Sequence, residues 1–203
     1  MLAEYRNLPR VVYVLCVGTI INRCGYFIVT FLAIYVNSSL GLGPEVATWA
    51  VGCFGLGSVM AAFVGGHLAD TIGRKTVALM ALLGSAIMAL ALPLFHTPIG
   101  VLGGVFLFAL LNDMYRPAVS ALLTDSVDSE RRPTAFGLMY LAINFGAAVA
   151  PVIGGTLAGA NYASLFWADA ATSIAYALVI AFAVPETLGK RTPGRGIPSA
   201  ASA

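Results

Sequence analysis

The sequence predicts an all-α membrane protein built from six transmembrane helices, and three observations carry that expectation. Of its 203 residues, 59% are hydrophobic and only 10% charged, with a mean hydropathy of +0.89. Soluble domains carry about 25% charged residues and 45–50% apolar ones. The apolar residues gather into six continuous runs, each near or above the roughly 20 residues that a helix needs to cross the hydrocarbon of a bilayer. Finally, the basic residues fall on alternate connections only, as the loops of a multi-pass protein should. The runs are too long and too evenly apolar for the alternating ten-residue strands of a membrane barrel.

A short polar lead, residues 1–9, precedes the six-helix body of residues 10–186. The first span covers about 10–36 and ends in Asn37-Ser38-Ser39 and Gly43-Pro44. It is expected not to be a removable leader, because it is long, Asn22-Arg23 interrupts it and further spans follow. The second covers 45–68 and gives way to a polar hinge, Gly65-Gly66-His67-Leu68-Ala69-Asp70-Thr71-Ile72-Gly73-Arg74-Lys75. The third, 76–95, ends at the Pro93–Pro98 break, and the fourth, 98–123, ends at Asp125. The fifth, 133–158, follows Glu130-Arg131-Arg132-Pro133 and stops at Gly159-Ala160-Asn161. The sixth, 164–184, leads into Pro185-Glu186-Thr187. Residues 187–203, rich in small residues, proline and lysine or arginine, are expected to be a disordered tail.

Charge placement orients the threading. Threading six spans puts the lead, the 69–75 hinge, the 124–133 loop and the tail on one side. Those segments hold every lysine and arginine except Arg23 and Arg116, which lie within spans. The opposite connections, 37–44, 93–98 and 159–163, hold none. An excess of basic residues marks the cytoplasmic side, so the chain is expected in the cell membrane with both termini in the cytoplasm. A net charge of +2 offers no basic surface to nucleic acid. Cys16, Cys24 and Cys53 sit inside apolar runs with no paired spacing, and His67 and His96 have no ligand-like neighbours. They read as membrane-core residues rather than as disulfide or metal sites, and no cofactor motif is present.

The residues that could carry a function are those whose polarity is expensive at membrane depth. A charge at the centre of a span costs at least about 2.5–3.5 kcal/mol on insertion scales. Arg23 lies about 13 residues inside the first span, roughly 20 Å at 1.5 Å per residue. Asp113 and Arg116, spaced i, i+3 on the fourth span, share a face and can pair. Asn22 and Asn112, beside these charges, and Asn144 in the fifth span need buried partners. Together these residues are expected to line a polar cavity that binds anionic or polar parts of a substrate or tunes a proton site. Asp169, near the end of the sixth span, is expected to be wet. Pro117 and Pro151 should kink their helices. Arginines within the first and fourth spans give a faint echo of a three-plus-three repeat.

The hinge resembles the signature between the second and third helices of the major facilitator superfamily of transporters, Gly-x-x-x-Asp-x-x-Gly-Arg-Lys. Gly66, Asp70, Gly73, Arg74 and Lys75 match it position for position. In the fifth span, Gly137, Gly146, Pro151, Gly154 and Gly155 resemble the fifth-helix motif of the proton-coupled drug antiporters of that superfamily, with Ala150 where the motif has glycine. Asn22-Arg23-Cys24-Gly25, Arg116-Pro117-Ala118 and Pro185-Glu186-Thr187 add softer likenesses. The resemblance implies half of a twelve-helix fold, working by alternating access as a proton-coupled exporter of small molecules, with no covalent chemistry. It also implies that Arg74 pairs with Asp125 to latch the second and fourth helices, and that helices one, two, four and five face a second six-helix half. That half would be a separate chain or, as the lesser expectation, a second copy. A fragment or accessory subunit that does not transport is the alternative. The partners so implied are membrane lipid, a small-molecule substrate, protons and the second half.

Overall fold

In the computed structural model, which describes residues 5 and 7–187, the chain folds into six long helices, with no strand among the described residues. We number them α1 (Arg10–Ser39), α2 (Gly43–Thr71), α3 (Arg74–Leu94), α4 (Pro98–Asp125), α5 (Ser129–Gly159) and α6 (Tyr162–Ala183). All six are long and apolar enough to cross a membrane. The tail expected at residues 187–203 lies outside the described residues except for Thr187.

Each helix packs on the next in the order α2, α4, α3, α6, α1, α5. Exchanging α1 with α4, α2 with α5 and α3 with α6 maps this order onto itself. The packing order is thus compatible with the three-plus-three pairing that the sequence faintly echoes. α2 meets α4 at near-backbone distance: a Cβ on Gly57 would lie 2.6 Å from the Phe106 carbonyl oxygen, and one on Gly65 2.6 Å from that of Met114. Small residues permit such approach, and van der Waals contact drives helix association in lipid.

Two apolar clusters fill the interior. One gathers Leu15, Leu82, Leu122, Tyr176 and Ile180 towards the end carrying the N-terminus. The other gathers Tyr35, Met88, Phe108 and Phe166 towards the opposite end. α1, α3, α4 and α6 supply most of both, while α2 and α5 are the least buried helices. Their outward faces hold large apolar side chains such as Leu56, Phe63, Leu141 and Phe145, each more than half exposed on this bundle.

α1 is not one continuous α-helix. It runs from Arg10 to Cys24, breaks at Gly25-Tyr26, resumes from Phe27 to Ile34 and closes in a π-helical turn, Tyr35–Ser39. Gly25 sits hard against α6: a Cβ there would lie 1.9 Å from the Thr172 hydroxyl. The amide of Ile28, in the first turn of the resumed helix, donates to Asp169 Oδ2 at 3.2 Å. Asp169, expected to be wet, is 3% exposed. Its burial is explained by the amide that the break leaves free, since a helix start holds donors without intrahelical partners. Pro117 and Pro151 lie inside helices that run on past them.

Candidate functional site

Among the described residues two polar constellations carry charge, one at membrane depth and one at the end of the bundle that carries the hinge. The first is built around Arg23. α5 crosses α1 so closely here that a Cβ on Gly146 would lie 2.4 Å from Arg23 Cβ. This crossing holds the Arg23 backbone in place, and the side chain is 6% exposed. Its guanidinium carbon lies 4.8 Å from the ring centre of Tyr26 and 5.8 Å from that of Tyr115. Such faces attract a cation without neutralising it.

On α4, Arg116 Nη2 pairs with Asp113 Oδ1 at 2.9 Å, as the i, i+3 spacing requires. Asp113 is 4% exposed and also accepts from Ser58 Oγ of α2 at 2.5 Å and from Asn112 Nδ2 at 3.2 Å. Arg116 Nη2 also donates to the Tyr26 hydroxyl at 3.5 Å, which joins the two arginines through one phenol. A cavity of about 350 Å³ opens between α1, α4 and α5. Thr19, Arg23, Tyr115, Arg116, Val119, Ser120, Phe136, Met139, Tyr140 and Ile143 line it.

Of the residues expected in a polar cavity, Arg23 and Arg116 line this one. Asp113 and Asn112 lie behind Arg116. Asn22 points elsewhere: it is buried and donates to Ser173 Oγ on α6 at 3.2 Å, tying α1 to α6. Asn144 differs from expectation. It is exposed and turns back to the Tyr140 carbonyl at 2.7 Å, one turn earlier on its own helix, which satisfies the amide without a partner helix. In α5, Gly146 and Gly154 make close contacts, the latter with Phe31 and Phe27. Gly155 has nothing within 4 Å, Gly137 only the Tyr5 hydroxyl at 3.8 Å, and Pro151 is exposed.

The second constellation is the hinge. Gly73 has φ +114°, a backbone region that glycine tolerates and other residues resist. It opens α3, whose first amides meet the carboxylate of Glu186 at the end of α6. Arg74 N donates to Oε1 at 3.1 Å, and Lys75 N and Thr76 N to Oε2 at 3.1 and 3.4 Å. A carboxylate at a helix start satisfies free amides and the helix dipole together. A Cβ on Gly73 would lie 2.6 Å from Glu186 Oε2, so the turn and its cap require the same glycine. Lys75 Nζ donates to the Ala181 carbonyl at 2.7 Å. Arg74 is ion-paired with Asp125 at the end of α4, and Thr187 Oγ1 donates to Asp125 Oδ2 at 2.8 Å. Asp70 stands 4.0 Å from Arg74 with its side chain 74% exposed. Gly66 has open space beside it. The hinge therefore ties α3, α4 and α6 together at one end and leaves Asp70 projecting.

Sequence reasoning named Asp169 and Glu186 but missed what they bind, and it missed Ser58 and the tyrosines of the cavity. Their partners lie far along the chain, 141 residues away for Asp169 and 112 for Glu186.

A family model for the Major Facilitator Superfamily matches residues 15–202. The chain is 28% identical over 172 residues to a Na(+), Li(+), K(+)/H(+) antiporter of Planococcus maritimus, covering 82% of this chain and 40% of that one. It is 30% identical over 182 residues to a chloramphenicol resistance protein of Streptomyces lividans, covering 86% of this chain and 44% of that one. The crystal structure of the peptide transporter POT in complex with sulfate superposes with a TM-score of 0.77 at 24% identity, over 85% of this chain and 37% of that one. That likeness concerns the fold. The chain spans less than half the length of these relatives.

Proposed function

The chain belongs to the Major Facilitator Superfamily, and from that premise we propose that it acts as one six-helix half of a transporter that moves small molecules by alternating access. The observation that carries this reading is the cavity of about 350 Å³ at membrane depth, with two arginines in its wall and a latched hinge at one end of the bundle. Charges at that depth are retained where a water-filled path or a ligand needs them. We read the coupling as antiport of protons and the direction as efflux, and we place the basic end in the cytoplasm. An antiporter and a resistance protein among the relatives support the first two, and the one-sided basic loops support the third. A second six-helix bundle would complete the path.

In this reading the hinge is a latch. Breaking Arg74 from Asp125 frees the ends of α3 and α4, and Asp70 is the exposed group that engages the second bundle when the path is shut. The test is reconstitution in proteoliposomes with an internal pH dye, screened against a panel of small compounds. Some compounds should drive a pH change in vesicles holding the wild-type protein. Asp70→Asn should insert normally and lose that response. Full flux through a well-inserted Asp70→Asn protein would remove the hinge from the mechanism. A panel without any response in the complete assembly would sink the transport reading itself.

A further inference from the structure

The two constellations differ in their electrical balance. At the hinge, Arg74 has Asp125 and, more distantly, Asp70. In the cavity, Asp113 already answers Arg116 and accepts from Ser58 and Asn112 besides. Asp169 is engaged by the Ile28 amide. Arg23 has no carboxylate within ion-pair distance among the described residues, and its Nε has no hydrogen-bond partner. Its surroundings are phenol rings, which tolerate a cation and leave its charge unneutralised. α5 crosses its backbone closely at Gly146, and the residue is 6% exposed. Asp113 and Asp169 act on it only from beyond ion-pair distance, so this buried cation in the wall of an open cavity has room for a directly paired anion.

We propose that this cavity is an anion subsite. Arg23, with the Tyr115 hydroxyl and the outer edge of Arg116, receives the carboxylate of a small amphipathic organic acid, and the body of that acid lies against Val119, Phe136 and Met139. The chemistry of the lining supports both halves of the statement. The charged and hydroxyl side chains Thr19, Arg23, Arg116 and Ser120 come from α1 and α4, and the α5 lining, Phe136, Met139, Tyr140 and Ile143, is apolar or aromatic. A guanidinium recognises planar carboxylates by paired N–H donation. A volume of about 350 Å³ lies at the lower end of the range for ligand pockets and favours a single ring or a short chain. The proposal rests on the reading of this cavity as a transport site and names the substrate class for it.

The experiment compares benzoate, benzamide and benzylamine, one ring with three head groups, by equilibrium binding to the full chain in nanodiscs of neutral lipid. Benzoate should bind at least tenfold more tightly than either of the others. Arg23→Gln should remove that preference while leaving the helical circular dichroism and the unfolding temperature near wild type. Arg23→Lys should keep part of it. Equal affinity for benzoate and benzylamine in the wild-type protein would overturn the proposal even if the Gln variant fails to fold. Nanodiscs containing phosphatidylglycerol form the second arm. If that lipid competes away benzoate, the site takes a lipid headgroup and the soluble-acid assignment falls. Binding is measured without a gradient, so its outcome is independent of flux. Benzoate binding without flux would sink the transport reading alone, and flux of neutral compounds without benzoate binding would sink the anion site alone.

Discussion

Asp169 shows how a carboxylate can be held inside an apolar bundle. Its oxygen takes the Ile28 amide where α1 restarts after its break. The acid and the break explain each other, since a resumed helix offers free amides and a buried acid needs donors. Glu186 repeats the device at the membrane edge, where it caps three amides at the start of α3. Removing the acceptor at Asp169 leaves a buried N–H unpaired, which costs about 1–3 kcal/mol. Asp169→Asn can keep one acceptor oxygen at the same place while trading the charge and the second oxygen for an amide NH2. We expect Asp169→Leu to lower the unfolding temperature in detergent clearly, and Asp169→Asn to lower it by less than half as much, followed by circular dichroism at 222 nm. Equal losses would mean that the site needs the charge and not the acceptor.

At the scale of the helix, hydropathy and structure report different lengths. Every span was legible, because a run of about 20 apolar residues is what a bilayer demands. The ends moved outward: Asn37–Ser39, Asp70-Thr71 and Ser129–Arg132 continue their helices, since hydropathy reads the thickness of hydrocarbon and not the extent of backbone hydrogen bonding. The Asp113–Arg116 pair was legible because it is local, and the Arg74–Asp125 pair only through the family resemblance. The break in α1 was not, for it arises where Gly25 meets Thr172 and Ile28 meets Asp169, residues more than 140 positions distant. The glycines of α5 divide on the same ground. At Gly146 an added methyl would collide with Arg23 of α1, whereas at Gly155 it would meet open space. Overpacking of this kind costs about 1–3 kcal/mol. Gly146→Ala should therefore destabilise the bundle, and Gly155→Ala should leave it unchanged or slightly firmer, since alanine is the better helix former. Thermal unfolding of the two variants in one detergent decides it. A neutral Gly146→Ala would show that α1 and α5 can part without loss, and would weaken the case for a pinned Arg23.

For the whole molecule, the bundle is unevenly covered. α3 and α6 pack against each other and present ordinary apolar side chains outward, such as Ile87 and Leu178, which hydrocarbon suits. α2 and α5 stand at the two ends of the packing order. The cavity opens between α1, α4 and α5, with the half-exposed Arg116 in its wall, and hydrocarbon does not suit such polar groups. Gly52, Gly55 and Gly66 on α2 also have open space beside them, which a second helix could use for close approach. On the proposed function, lipid covers the α3–α6 side and a second bundle the α2–α5 side. This asymmetry makes a prediction about position. With native cysteines replaced, a cysteine at Leu56 on α2 or Phe145 on α5 should crosslink in native membranes to another six-helix body. A cysteine at Ile87 on α3 or Leu178 on α6, similarly exposed on the bundle, should not. Mass by light scattering in detergent identifies the partner as a second copy or a different polypeptide. Equal crosslinking from all four positions would mean collisions without a defined interface. A monodisperse single bundle with no crosslink at Leu56 or Phe145 would leave the α2–α5 face to lipid and remove the two-bundle path from the proposal.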